Sequence, residues 1–191
     1  MLCLKNKSNP EWIECVKKNV DSVIIDHAHC EKKAALTGMN LINGHPEKTE
    51  IILAMADLVE EEIDHFRSVV NILIERNVRL TEDPGDEYAK KLFSQLRKKQ
   101  PERFLDHLLV AGIIEARSCE RLQILSENLE DEKLKNFYTT LSKSEAGHYV
   151  TFVKLAKIYF NEEIVKIRLD ELSNYEAEIV KNLTNLPLMH G

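Results

Sequence analysis

The chain has 191 residues, 43% of them hydrophobic, with only 6 glycines and 5 prolines, and a formal charge of −6. That length suits one domain with a sizeable core, and the scarcity of glycine and proline excludes a disordered or loop-rich chain. The acidic balance excludes the protein as a whole from matching nucleic acid or an anionic membrane electrostatically, but says nothing against a local basic patch.

Cys3, Cys15, Cys30 and Cys119 form no CxxC pair, which argues against a zinc ribbon or a disulfide framework and for reduced thiols. Met1 to Trp12 lacks an apolar leader core, and no later apolar run approaches membrane-spanning length. A cytoplasmic protein without membrane contact is expected.

Taken in order, Asn9-Pro10-Glu11 reads as an N-cap followed by proline at the first helical position. The stripe Val16, Val20, Ile24, His27, Glu31 and Ala34 or Ala35 predicts one helix running to about Asn43. Gly44 takes the C-terminal cap position and Gly38 is a point of kinking or fraying. A second helix spans about Pro46 to Asn77, its stripe carrying Met55, Leu58, Glu62, His65, Val69 and Ile72 or Leu73. Such helices are roughly 45 Å long, a bundle dimension. No alternating apolar run bounded by turn residues occurs, so no strand is predicted.

Thr81 to Asp86 has strong turn chemistry, and Asp86 to Lys99 reads as a short amphipathic helix. The whole segment of about 78–100 is long enough to cross a bundle, so that the second and third helices need not be antiparallel neighbours. The third long helix starts near Pro101 with the stripe Leu108, Ala111, Glu115, Ser118, Leu122 and Leu125. After a break around Ser126 to Asp131 the fourth covers about Glu132 to Phe160, with Leu134, Tyr138, Leu141, Glu145, His148, Phe152 and Leu155 on one face. Asn161 caps an additional C-terminal helix of about 162–183, and Pro187 to Gly191 reads as a loose tail. The expected architecture is all-α and a single domain over 1–191.

A carboxylate and an imidazole on an apolar stripe are costly to bury unless paired. Glu62-Ile63-Asp64-His65 and Glu145-Ala146-Gly147-His148 both present that problem, and each is preceded by another stripe glutamate. Glu31 lies 31 residues before Glu62, and Glu115 lies 30 before Glu145. Two antiparallel hairpins related by an approximate two-fold would bring four carboxylates and two imidazoles to one level. That constellation is the recorded one of ferritin-like di-iron carboxylate proteins. Four charges of −1 call for two divalent ions, and oxygen and nitrogen donors without thiolate favour iron or manganese over structural zinc. Any one of these residues alone would be an ordinary helix residue; six at matched spacing in two halves predict a di-metal site.

The stretches Asp26-His27-Ala28-His29-Cys30-Glu31-Lys32-Lys33-Ala34-Ala35, Glu61-Glu62-Ile63-Asp64-His65-Phe66, Ile114-Glu115-Ala116-Arg117-Ser118-Cys119-Glu120-Arg121 and Ser144-Glu145-Ala146-Gly147-His148-Tyr149 closely resemble the bacterial tRNA 2-methylthio-isopentenyladenosine hydroxylases, the MiaE family. The likeness covers most of the chain. The resemblance implies a non-haem di-iron monooxygenase that hydroxylates the isopentenyl group of the modified adenosine beside the anticodon, using dioxygen and two electrons. It implies two iron ions on Glu31, Glu62, His65, Glu115, Glu145 and His148, an external electron donor, and tRNA as partner of a monomer or small oligomer. Gly147 departs from the resemblance, standing in place of a bulkier residue. It costs about 1 kcal/mol of helix propensity relative to alanine and would either loosen the helix or admit substrate.

Around the ligands, Glu61 and Ser144 are candidates for orienting the histidines. His27, one turn before Glu31, is an extra ligand, a proton donor or a hydrogen-bonded core histidine. Cys30 and Cys119 are expected to fill core space. Lys90, Lys91, Arg97, Lys98, Lys99 and Arg103 concentrate six positive charges against Glu102 alone, which predicts phosphate contacts on tRNA, with Lys32 and Lys33 as additions. The competing expectations are another di-iron oxidoreductase acting on a small molecule or peroxide, and a non-catalytic iron store or helical adaptor.

Overall fold

The computed structural model describes residues 2–191. Among these residues seven helices follow one another: α1 (Pro10–Lys18), α2 (Val20–Gly44), α3 (Thr49–Glu75), α4 (Glu87–Phe93), α5 (Glu102–Asn128), α6 (Glu132–Tyr159) and α7 (Glu162–Lys181). Among the described residues there is no strand, and no helix is long and apolar enough to cross a membrane. The chain contacts group into two compact units. One comprises Lys18–Gly85 and Pro187–Met189, the other Met1–Lys17, Asp86–Leu186 and His190–Gly191.

The first of these units is the α2–α3 pair. Val23, Ile24 and Leu41 of α2 and Ile51, Met55, Leu58 and Val69 of α3 are all buried. Gly38 does not kink α2, which stays helical through Gly44. A Cβ there would lie 2.7 Å from Val59 Cγ2, so glycine permits the close approach of the two helices. Helix α3 begins at Thr49 rather than Pro46, because His45 to Lys48 close a turn in which the Lys48 amide donates to the His45 carbonyl. It ends in a Schellman motif: Asn77 takes φ 58, while the Asn77 amide donates to Ile74 and that of Val78 to Leu73. The loop beyond is pinned back on α2, since Lys33 and Lys32 reach Asp83 at 2.9 and 3.3 Å and His29 Nε2 lies 3.1 Å from the Thr81 carbonyl.

The other unit is built on the α5–α6 pair with α1, α4 and α7. Asp131 caps α6 by accepting from the amides of Lys133 and Leu134, Asn161 caps α7 through Glu163, and Asp86 caps α4 through Ala89. Helix α5 is buried over most of its circumference. Its charged residues therefore pair inward. Arg117, fully buried, donates to Glu176 at 2.8 Å, Glu120 at 2.9 Å and the Asn6 carbonyl at 3.0 Å. Tyr88 donates to the same Glu176 at 3.1 Å. The Arg121 guanidinium lies 3.9 Å from the centre of the buried Trp12 ring.

Three further sequence expectations are corrected. The first helix is two, because Asn19 leaves helical geometry (φ −143) and its carbonyl accepts from Ser22 and Val23 to restart the chain as α2. The short helix stops at Phe93 instead of Lys99; beyond it, the Arg97 amide and guanidinium are both taken by the buried carboxylate of Asp106. The tail is not loose. Met189 is buried, with its amide donating to Asp26 at 2.7 Å. His190 stands between Asp86, 2.8 Å from Nδ1, and Ser118, 3.3 Å from Nε2.

Candidate metal centre

Helices α2 and α3 bring one half of the expected ligands together. Glu31, Glu62 and His65 each offer a ligand atom within 4.8 Å of the others. His65 Nδ1 stands 3.6 Å from Glu31 Oε2 and 3.5 Å from Glu62 Oε2. Both glutamates are buried and His65 is half-buried. The spacing explains the meeting. Residues three apart on α3 stack on one face, and Glu31 approaches from α2.

His27 lies one turn before Glu31, with Nε2 2.5 Å from Glu31 Oε1. Burial by itself would raise the Glu31 carboxyl. The His27 imidazole, the Glu62 side chain and His65 outweigh it and hold Glu31 well below the usual carboxylate range. Burial likewise works against a charged His65, yet Glu31 and Glu62 push it up to about 10. Two carboxylates thus hold a positive charge beside them, which is the electrostatic demand a cation would meet.

Helices α5 and α6 assemble the other half. Ligand atoms of Glu115, Glu145 and His148 lie within 4.8 Å of one another, with His148 Nδ1 3.6 Å from Glu145 Oε2. All three are buried. Cys119, one turn after Glu115, is raised to about 11 by burial and by the Glu145 charge, so it stays a neutral thiol among the core side chains. Each half therefore offers carboxylate oxygens and imidazole nitrogen only, donors that suit a hard or intermediate divalent ion.

The sequence profile described as tRNA-(MS[2]IO[6]A)-hydroxylase (MiaE) matches residues 1–191. The chain belongs to this family. A tRNA 2-(methylsulfanyl)-N(6)-isopentenyladenosine(37) hydroxylase of Pseudomonas putida is 36% identical over 171 residues, 90% of this chain and 83% of that protein. Its namesake from Salmonella typhimurium is 33% identical over 135 residues, 71% of this chain and 49% of that protein. Among solved structures, a Synechococcus protein with aldehyde deformylating oxygenase activity superposes with a TM-score of 0.96 at 33% identity, covering 100% of this chain and 96% of its own. The fold is all-α and ferritin-like.

Membership of the MiaE family gives meaning to the residues that flank the clustered glutamates and histidines. In Asp26 to Ala35, Glu31 joins the carboxylate set while Asp26, His29, Lys32 and Lys33 anchor the tail and the loop after α3. In Glu115 to Arg121, Glu115 joins the other set while Arg117, Glu120 and Arg121 hold the segment Asn6–Ser8 and Trp12. Sequence reading missed this second group. The signal available was a helix apolar on more than one face, so that its charges had nowhere to point but inward.

Of the remaining candidates, Glu61 is exposed and Ser144 is half-buried. Lys32 and Lys33 are committed to Asp83, Lys90 to Glu87 at 2.7 Å and Arg97 to Asp106. Lys91, Lys98, Lys99 and Arg103 are exposed.

Proposed function

We propose that Glu31, Glu62, His65, Glu115, Glu145 and His148 act as one ligand set for two iron ions. On this reading the chain hydroxylates the isopentenyl group of 2-methylthio-isopentenyladenosine next to the anticodon of tRNA. The observation that carries it is the family match over residues 1–191, supported by a buried glutamate paired with a Glu-x-x-His in each unit. Bound iron would supply the dioxygen reduction and C–H oxidation that no side chain can perform. The reaction balances as one C–H group, one dioxygen, two electrons and two protons giving one C–OH and one water, the electrons coming from an external donor. Cytoplasmic tRNA is the substrate pool.

The chain's own residues have distinct tasks. The four carboxylates would neutralise the charge of two divalent ions, and the imidazoles would supply the nitrogen donors. His27 holds Glu31 in one orientation through Nε2, as a hydrogen-bonded neighbour of a ligand does. Met55 and Leu58 in one unit, and Tyr138, Leu141 and Phe152 in the other, keep water away from the carboxylates.

A second reading has its own observation. The structural neighbour with aldehyde deformylating oxygenase activity is 33% identical and matched over 96% of its length, which favours an aldehyde as the substrate. Mass spectrometry of tRNA nucleosides from a deletion strain separates the two. Loss of the hydroxylated nucleoside, restored by the wild-type gene but not by Glu115→Ala, supports the tRNA hydroxylase. An unchanged nucleoside profile together with aldehyde consumption by the purified protein supports the alternative.

A further inference from the structure

The stretch from Lys90 to Arg103 carries six cations, but the fold divides them. Asp106 is fully buried and is clamped by two arginines. It accepts from the Arg97 amide at 2.8 Å and from Arg97 Nε and Nη2 at 2.9 and 2.7 Å. From the other side Arg168 donates to it through Nε at 2.8 Å and Nη2 at 3.0 Å, and reaches the Gln95 carbonyl at 3.0 Å. Burial works against the ionised carboxyl of Asp106, but the two guanidiniums hold it below its ordinary range. Arg97 is thus an internal brace of the connection between α4 and α5.

That brace fixes a short segment with no helix of its own. Its far end is fastened as well. The Phe104 amide donates to Gln100 Oε1 at 3.1 Å, and the buried Phe104 ring packs 5.6 Å from Tyr159 and 5.9 Å from Phe160. The Arg103 amide donates to the Lys99 carbonyl at 2.8 Å. What the segment displays outward is Lys98, Lys99 and Arg103, with Lys91 at the end of α4, all exposed. Among the described residues none of these four has a recorded ion pair, and Glu102 is the one acid between Lys98 and Arg103. In a chain of charge −6 this is a preassembled cationic ledge, its backbone held from beneath.

We propose that this ledge is a phosphate-contacting platform for tRNA, in which Lys98, Lys99 and Arg103 bind backbone phosphates directly while Asp106, through Arg97 and Arg168, is the positioning residue that fixes their spacing. It rests on the tRNA reading above and says where that substrate is gripped. Contacts of this kind set register without reading bases. A rigid ledge loses less freedom on binding than lysines on a mobile loop.

The test measures binding of tRNA, isolated from cells unable to hydroxylate the nucleoside, across a salt series by fluorescence anisotropy. Lys98→Gln/Lys99→Gln/Arg103→Gln is expected to weaken binding and to lower the slope of log affinity against log salt by about 2 to 3, as three lost phosphate contacts require. Lys90→Gln, at a cation already matched by Glu87, is expected to leave the slope unchanged. Circular dichroism checks that the exposed substitutions leave the fold intact. If the triple variant keeps the wild-type slope while wild type still hydroxylates the tRNA, the platform is wrong and the functional reading stands. An equal loss for Lys90→Gln also overturns it, since net charge alone would then explain binding. If the triple variant binds tRNA normally but loses electron delivery from a protein reductant, the ledge serves an acidic protein instead. Should wild type neither bind nor modify tRNA, both readings fall.

Discussion

Four residues before Glu31 the chain carries His27; four residues before Glu115 it carries Ala111. Four residues after those glutamates stand Ala35 and Cys119, and the residues inside the two Glu-x-x-His pairs are Ile63-Asp64 and Ala146-Gly147. The α2–α3 set is therefore flanked by an ionisable neighbour, and Glu31 has an imidazole on each of its oxygens. The α5–α6 set is flanked by a methyl group and by a thiol held neutral at about 11. The spacing is repeated because, within each pair of helices, helix periodicity must turn a glutamate and a Glu-x-x-His toward each other. Neighbours are not bound by that demand, so the two halves can differ in charge, exposure and proton affinity while offering the same donors.

The largest expected effect tests whether the halves work together. Glu62→Ala and Glu145→Ala should each reduce bound iron and tRNA hydroxylation to about a hundredth of wild type or less, since even neighbours of ligands cost tenfold to a hundredfold when lost. Metal analysis of purified variants, beside a nucleoside digest, checks it. A variant of one half that kept full iron and full turnover would show that the halves are not one ligand set. His27→Ala comes next. It has no counterpart in the α5–α6 half, and should lower ion affinity about tenfold to a hundredfold by freeing Glu31 to rotate. Competition with a chelating indicator measures this. Unchanged affinity would mean that His27 only fills space.

The same asymmetry has a pH signature. Folding raises His65 from its ordinary value to about 10 through Glu31 and Glu62, against the effect of burial. Its contribution to stability is then fully present below about 6.5 and lost as pH rises through about 10. A divalent ion that takes His65 as ligand has to displace that proton, so ion affinity must rise with pH over this window. One displaced proton gives about tenfold between pH 7 and pH 8. Chelator competition with the protein stripped of metal reads the slope directly, and a flat profile would show that the proton is not in the ion's way.

How far these halves could be read in advance depended on the distance between partners. Glu62 and His65 meet within one helix turn, and the cap at Asn161 acts on an amide two residues away, so local pattern was enough. Asn19 was hidden because Val16, Val20 and Ile24 keep helical spacing straight across it. The role of Arg97 depends on a carboxylate nine residues on, and that of Arg117 on Glu176, 59 residues away. The tail reads as loose from its place at the terminus, yet His190 finds Asp86 and Ser118 at separations of 104 and 72 residues. Pairings of that range leave no periodic trace. The family-specific stretches were the nearest thing to one, and their side chains divide between the buried carboxylate clusters and the anchors.

The smallest effect concerns the two residues inside the Glu-x-x-His pairs. Asp64 points outward and pairs with Arg67 at 2.6 Å, with both side chains more than half exposed. Asp64→Ala should therefore change stability by no more than about 0.5 kcal/mol. Gly147 sits in the interior of α6, where a Cβ would meet nothing within 4 Å. Gly147→Ala should add about 0.5 to 1 kcal/mol by restricting the unfolded chain, a rise of about 1 to 4 °C in Tm for a chain of this size. Gly38→Ala and Gly112→Ala are the contrasting pair. Their added methyls would stand 2.7 Å from Val59 Cγ2 and 3.2 Å from Phe152 Cβ; Gly38→Ala should lower Tm, and Gly112→Ala should gain less than Gly147→Ala. Turnover then decides what the open space at Gly147 is for. If Gly147→Ala raises Tm and slows hydroxylation, the gap admits substrate beside His148. If it raises both, the glycine is a weakness in the helix that the site does not use.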